Sequence, residues 1–204
     1  MGKVFVFVLS VFLIGCAGTS KVPIHEVVGL STLRTKVLLL PSKDVDIAYQ
    51  ERAVREFEAV LLRKPAGYFL KTVFGGEKVD LVLITRKKVQ RVSSISEAVK
   101  VGKESDVSVV VVVEPLRIDF SEGSVKREDE FCTVRRSEAV ISAKVVESGK
   151  GKIVLAGMYE GSSEGRQCSK GVRRTDKLPS KDVLVIKAIK EAATKFSKEF
   201  WSSL

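Results

Sequence analysis

The residues with nucleophilic, redox or metal-ligating chemistry are few: three cysteines, Cys16, Cys132 and Cys168, and a single histidine, His25. A Ser–His–Asp or Cys–His arrangement needs a positioned imidazole. His25 sits in a stretch without periodicity, near Pro23 and Gly29, and reads as a solvated tether residue. There is no Gly-x-Ser-x-Gly elbow and no glycine-rich loop followed by Lys-Ser/Thr. Gly157 to Gly165 holds three glycines, but in a strand-rich region rather than at a helix start. Glu114 and Asp119 flank a proline bend, and the sequence leaves open a glycosidase-like carboxylate pair there. The balance of these observations points away from an enzyme.

Cys132 lies 18 residues before Lys150 and Cys168 lies 18 residues after it. Lys150 is the centre of Gly149-Lys150-Gly151, a hairpin signal between two β-rich runs. In an unbroken hairpin the two cysteines would face each other and could form a disulfide. Gly161 and Gly165 argue against an unbroken second strand, but the bond could also close a loop beyond the strand ends. The alternative is two free thiols or metal ligands. Two cysteines without a nearby histidine supply only half a zinc site, so no metal is expected.

The start of the chain has a different character. Lys3 precedes an apolar run from Val4 to Ile14, which is too short to span a bilayer and has the length of a signal-peptide core. Leu13-Ile14-Gly15-Cys16 resembles the lipobox of bacterial lipoproteins. That resemblance implies cleavage before Cys16, with diacylglycerol and an N-acyl (palmitate-type) chain on Cys16 and no other cofactor. Ala17, not Asp, follows the cysteine. By resemblance to the sorting rule of diderm bacteria, this implies an outer-membrane anchor facing the periplasm, an oxidising compartment that permits a disulfide.

Net charge is +10. The clusters are Arg86-Lys87-Lys88 with Arg91, Arg135-Arg136 and Arg173-Arg174. They read either as solvated surface or as contacts with anionic lipid head groups or an acidic partner. No aromatic residues interleave them as stacking platforms, and export removes the chain from the nucleoid, so nucleic acid is not expected.

These residues need elements to hold them. We divide the chain into a signal peptide (1–15), a lipidated tether (16–35) and one domain (36–204). Lys36–Leu40 is a buried strand ending at Pro41. Ile47, Val54, Phe57, Val60 and Leu61 recur at helical spacing, with Glu51 and Arg55 as an i,i+4 pair, over 47–63. Residues 68–74 fit a turn of helix or a strand. Val79–Thr85 is a strand, and Ser94-x-x-Glu97 has capping-box spacing for a helix to about Glu104. Val107–Val113 is six valines interrupted by Ser108, as a central strand requires. Leu116–Phe120 then continues as an edge-like segment. Residues 121–130 and 163–178 are polar and read as loops, with strands at 131–148 and 152–162 between them. Ser180 caps a last helix with Ile186, Ile189, Ala193, Phe196 and Phe200 on one face. The fold class is α+β, a mixed sheet with helices packed on it, in the order β-α-β-α-β-β-β-α.

That order resembles the TolB amino-terminal-like fold of the curli secretion lipoprotein and of the outer-membrane lipoprotein activators of penicillin-binding proteins. The resemblance rests on Lys36–Pro41, the helix 47–63, Ser96–Val113 and Ala139–Gly157, and extends over about residues 36–204. It implies an adaptor or activator of an envelope protein complex. The alternative is a self-assembling subunit of a secretion or surface-appendage system. Arg135, Arg136, Glu138 and Lys144 fall on both faces of one strand, which disfavours a lipid-facing pore.

Overall fold

The computed structural model describes residues 32–63, 80–127, 130–170, 173–174 and 177–204. The signal segment, Cys16, His25 and the stretch 68–74 lie outside the described residues. The elements are β1 (Thr32–Leu39), α1 (Ile47–Leu61), β2 (Asp80–Leu83), α2 (Ile95–Glu104), β3 (Val109–Arg127), β4 (Glu130–Glu147), β5 (Ile153–Lys170), the two-residue β6 (Arg173–Arg174) and α3 (Lys181–Ser202). This is the expected α+β order, with β6 as an addition at the sheet edge.

The sheet order is β2-β1-β3-β4-β5-β6. β1 lies parallel to both β2 and β3, while β3, β4, β5 and β6 are antiparallel. The valine run is the reason β3 sits near the centre. Val109, Val111 and Val113 point into a core shared with α1 and α3, and Val110 and Val112 into a second core under α2. All five are at most 1% exposed. A strand covered on both faces has no polar position to alternate with, hence the continuous apolar run. The first core is closed by aromatic contacts. The Phe196 ring lies 5.1 Å from Phe57 and 5.3 Å from Tyr159.

Three boundaries differ from the sequence reading. β1 begins at Thr32, so the chain is already in the sheet where a tether was expected. β3 does not stop at Pro115. Its register against β4 shifts between Pro115 and Arg117, a bulge that leaves Leu116 unpaired next to the proline that has no N–H, and pairing then continues to Arg127. The expected loop 121–130 is therefore largely strand. Likewise β5 runs unbroken to Lys170 through the expected loop after Ser163. Sequence polarity misled because the outer part of the β3–β4–β5 blade has little cover, so both of its faces can be polar. Here pairing across strands replaces burial as the source of order. Glu122 and Arg135 face each other in register, and Arg135 Nε donates to Glu122 Oε2 at 2.6 Å.

β5 alternates cleanly over its middle. Tyr159, Gly161 and Gly165 are buried towards α3, while Met158, Glu160, Ser162, Glu164 and Arg166 are exposed. α3 starts at the Ser180 cap, which accepts the Val183 N–H. Its buried stripe is broader than expected and includes Leu184, Val185, Ala188 and Ala192 with Ile189, Ala193, Phe196 and Phe200, while Ile186 is only half-buried. In α2, Ser94 accepts the Glu97 N–H as expected. The Glu97 carboxylate, however, takes the N–H and the hydroxyl of Ser93, both at 2.7 Å, and not the Ser94 N–H of a capping box.

Candidate functional site

The hairpin register brings the cysteines together. From Glu130↔Lys170 to Val145↔Leu155, paired residues are equidistant from Lys150, and Cys132 pairs with Cys168. The two are joined as a disulfide with a Cα–Cα distance of 4.0 Å. Glu130 lies beside them, its carboxylate within 4.8 Å of both sulfurs. Sulfurs bound to each other offer no thiolate to a metal. Arg166 Nη2 packs 3.2 Å from Cys132 Sγ. The bond pins the far end of the blade, where Val125 and Phe131 are exposed and Lys126 lies over the Phe131 ring.

Glu114 and Asp119 do not form a carboxylate pair. Their partners on β4 are Ser142 and Glu138, four residues apart. That places them roughly 13 Å from each other along the strand, farther than two glycosidase carboxylates stand. Asp119 is instead paired with Arg117 at 2.9 Å.

The basic clusters separate. Arg135 points towards α3, where Nη1 donates to the Pro179 carbonyl at 3.0 Å. Arg136 faces the other way and pairs with Glu138 at 3.3 Å. The backbones of Arg173 and Arg174 form β6 against Ser169 and Lys170. Arg86 is exposed, near enough to Lys36 to help lower the pKa of that amine after the larger effect of burial. Lys36 is 2% exposed, and its Nζ donates to Ser105 Oγ at 2.9 Å.

Lys87, Lys88 and Arg91 line a groove with Ala48, Arg52 and Arg55 of α1. Its volume is about 580 Å³, and Glu51 and Val89 complete the lining. The segment after β2 is brought here by a bridge of Arg91 to Leu39 and by reciprocal bonds, Leu39 N–H to Gln90 O and Val92 N–H to Leu39 O. α1 is fixed at its start by Asp46, which accepts the Ala48 N–H, and by buried Gln50, which bonds Ser42 and Val45. The expected Glu51–Arg55 pair is replaced by contacts across the groove and, for Arg55, by a further pair within α1. Glu51 accepts from Arg91 at 2.9 Å, and Arg55 bonds Glu58 at 2.8 Å and the Lys87 carbonyl. Arg52 pairs with Glu56 at 2.7 Å. The sequence run Arg86-Lys87-Lys88 signalled one wall. The other wall, Arg52 and Arg55, was hidden because the helix could be read but not the long-range packing that sets this face opposite residues 87–91.

The face of the blade away from α3 carries Arg117, Asp119, Arg136, Glu138 and Glu160. Charges of both signs alternate there. α2 covers only the end of this face around Val110, Val112 and Val146. Among the described residues no helix is long and apolar enough to cross a membrane.

No family model matches the chain. A protein of Aquifex aeolicus (strain VF5), described as uncharacterized, is 26% identical over 208 residues, the whole of both chains. Among solved structures, a neuraminyllactose-binding hemagglutinin homolog from Helicobacter pylori is 16% identical with a TM-score of 0.45, over 85% of this chain and 86% of that one. Lipoprotein GNA1162 from Neisseria meningitidis is 14% identical with a TM-score of 0.31, over 69% and 87% of the two chains. The second of these structures is of a lipoprotein, and neither likeness assigns the chain to the curli or TolB type.

Proposed function

We propose that the protein is a non-enzymatic lipoprotein of the outer membrane, anchored through Cys16 and facing the periplasm, that docks an envelope protein and positions or activates it. Residues 1–15 direct export, the following stretch is a tether, and the domain supplies the docking surface. The observation that carries the reading is the uncovered, mixed-charge face of the β3–β4–β5 blade. Alternating charges favour a protein partner over acyl chains, because complementary charges fix register and exclude wrong partners. Arg117, Asp119, Arg136, Glu138 and Glu160 on this face suit a partner surface that also carries both signs.

A second reading, a self-assembling subunit, draws on the outer edge of β5, where among the described residues β6 covers only Ser169 and Lys170. An open strand edge can accept another chain. The edge is partly closed, however. Lys195 Nζ donates to the Glu160 carbonyl, and the Ser162 N–H donates to Glu191. One measurement separates the two readings: the mass of the lipidated protein in mild detergent, by light scattering after size exclusion. A monomer that copurifies with one envelope protein supports the adaptor. A closed ring of many copies overturns it. Retention of the Cys16→Ser chain as an unprocessed precursor tests the anchor separately.

A further inference from the structure

The groove between α1 and the segment 84–91 has features of a built anion site. Five cations line it, Arg52, Arg55, Lys87, Lys88 and Arg91, against one carboxylate, Glu51. The three arginines are already held. Each bonds a carboxylate, and Arg55 also bonds the Lys87 carbonyl, which ties helix to loop. Guanidinium groups fixed before binding lose little freedom when a ligand arrives. Lys87 and Lys88 are different. Both are exposed, and neither ammonium has a partner among the described residues. Their ammoniums can close on a ligand that the arginines orient.

The size and lining narrow the ligand. A groove of about 580 Å³ exceeds what a lone ion fills and falls within the range of small-molecule sites. Ala48 and Val89 give it an apolar patch beside the cations. We propose that this groove binds a phosphate ester, with the phosphate between the Lys87–Lys88 ammoniums and the α1 arginines and the ester carbon portion on Ala48 and Val89. Arginine forks match phosphate oxygens, and lysines add point charge. The ester is either a soluble phosphate metabolite or a phospholipid head group, which share this chemistry. The proposal does not depend on the docking reading, which concerns the blade face.

The test uses the full lipidated chain in micelles of a non-ionic detergent at physiological salt. One arm titrates glycerol 3-phosphate by calorimetry. The other dopes the micelles with phosphatidic acid or, as control, phosphatidylcholine, and follows groove amides by NMR. We expect saturable binding at one site in at least one phosphate arm, and at least tenfold weaker binding in Lys87→Gln/Lys88→Gln. The variant Lys187→Gln/Lys190→Gln removes the same charge from exposed positions on α3 and should bind as the parent does. Binding in the doped micelles alone assigns the head group as the source, and binding of glycerol 3-phosphate alone assigns a soluble ester. No binding in either arm, or an equal loss in both variants, overturns the proposal, the latter because diffuse charge would then explain the attraction.

Discussion

A Cβ placed on Gly161 would lie 1.9 Å from the carbonyl oxygen of Ala188 and 2.7 Å from the amide nitrogen of Ala192. Both obstructing atoms are helix backbone and cannot rotate aside. Gly161 is therefore the point where α3 rests directly on β5. Gly161→Ala should cost about 3 kcal/mol or more, at the upper end of overpacking effects, read by urea unfolding. Gly123→Ala is the control, since a Cβ there meets nothing within 4 Å. It should stay within about 0.5 kcal/mol of the parent, as exposed substitutions do. Equal losses in the two variants would move the cause from helix contact to strand conformation.

This glycine also marks where the sequence was readable and where it was not. The valine run and the stripe of α3 could be placed because burial imposes a period on them. Gly161 and Gly165 argued against a strand, since isolated glycines weaken one. They are in the strand because something must come close: Ala188 at Gly161, and the Pro179 ring at Gly165. Those reasons lie 27 and 14 residues further along the chain and leave no local trace. The far end of the blade was unreadable for a different reason. Glu122 and Arg135 order it by facing each other, and a pairing partner, unlike a buried face, sets no repeat in the sequence. Of the groove, the sequence carried the run of cations on one wall and nothing of the wall that α1 brings.

The Cys132–Cys168 bond should stabilise the domain measurably. It closes 36 residues of chain, which by the chain-entropy model is worth about 3–4 kcal/mol. Cys132→Ser/Cys168→Ser should lose about that much in denaturant unfolding, and the parent should lose a similar amount on reduction. The loss should be accompanied by faster amide exchange in residues 121–127, the part of β3 that the bond holds at a distance from the core. A loss below about 1 kcal/mol would mean that the Gly149–Gly151 turn already restricts the unfolded hairpin.

Lys36→Met should raise stability at neutral pH. Lys36 is buried in β1, and burial, with a smaller contribution from Arg86, holds its pKa below the ordinary 10.5. In the window between the folded value and 10.5 the unfolded chain binds more protons, so the stability of the parent rises with pH there. The variant has no such group. Its advantage is therefore largest below the folded pKa and shrinks as pH climbs towards 10.5. Ser105, left without the ammonium, is half-exposed and can bond water. Thermal unfolding at pH 7 and pH 10 checks both the sign and the shrinkage. A less stable variant at pH 7 would show that the Lys36–Ser105 bond outweighs the burial of the charge.

Acid should open the edge of β5. The Glu191 carboxylate accepts the Ser162 N–H at 2.9 Å and pairs with Lys195 at 3.0 Å, while Lys195 also bonds the Glu160 carbonyl. These contacts, the Ser162 N–H first, hold the Glu191 pKa below 4.5. A carboxylate with a depressed folded pKa stabilises fully above its unfolded value and loses that stabilisation as pH falls through the folded one. As pH falls below 4.5 the cap on Glu160 and Ser162 should therefore weaken, exposing backbone groups that can pair with a second chain. Light scattering should show self-association setting in below that pH. Glu191→Gln should bring it to neutral pH, because the amide keeps an acceptor but loses the charge that holds Lys195 in place. If Glu191→Gln stays monomeric at pH 7 and associates in acid as the parent does, the edge of β5 is not what Glu191 guards.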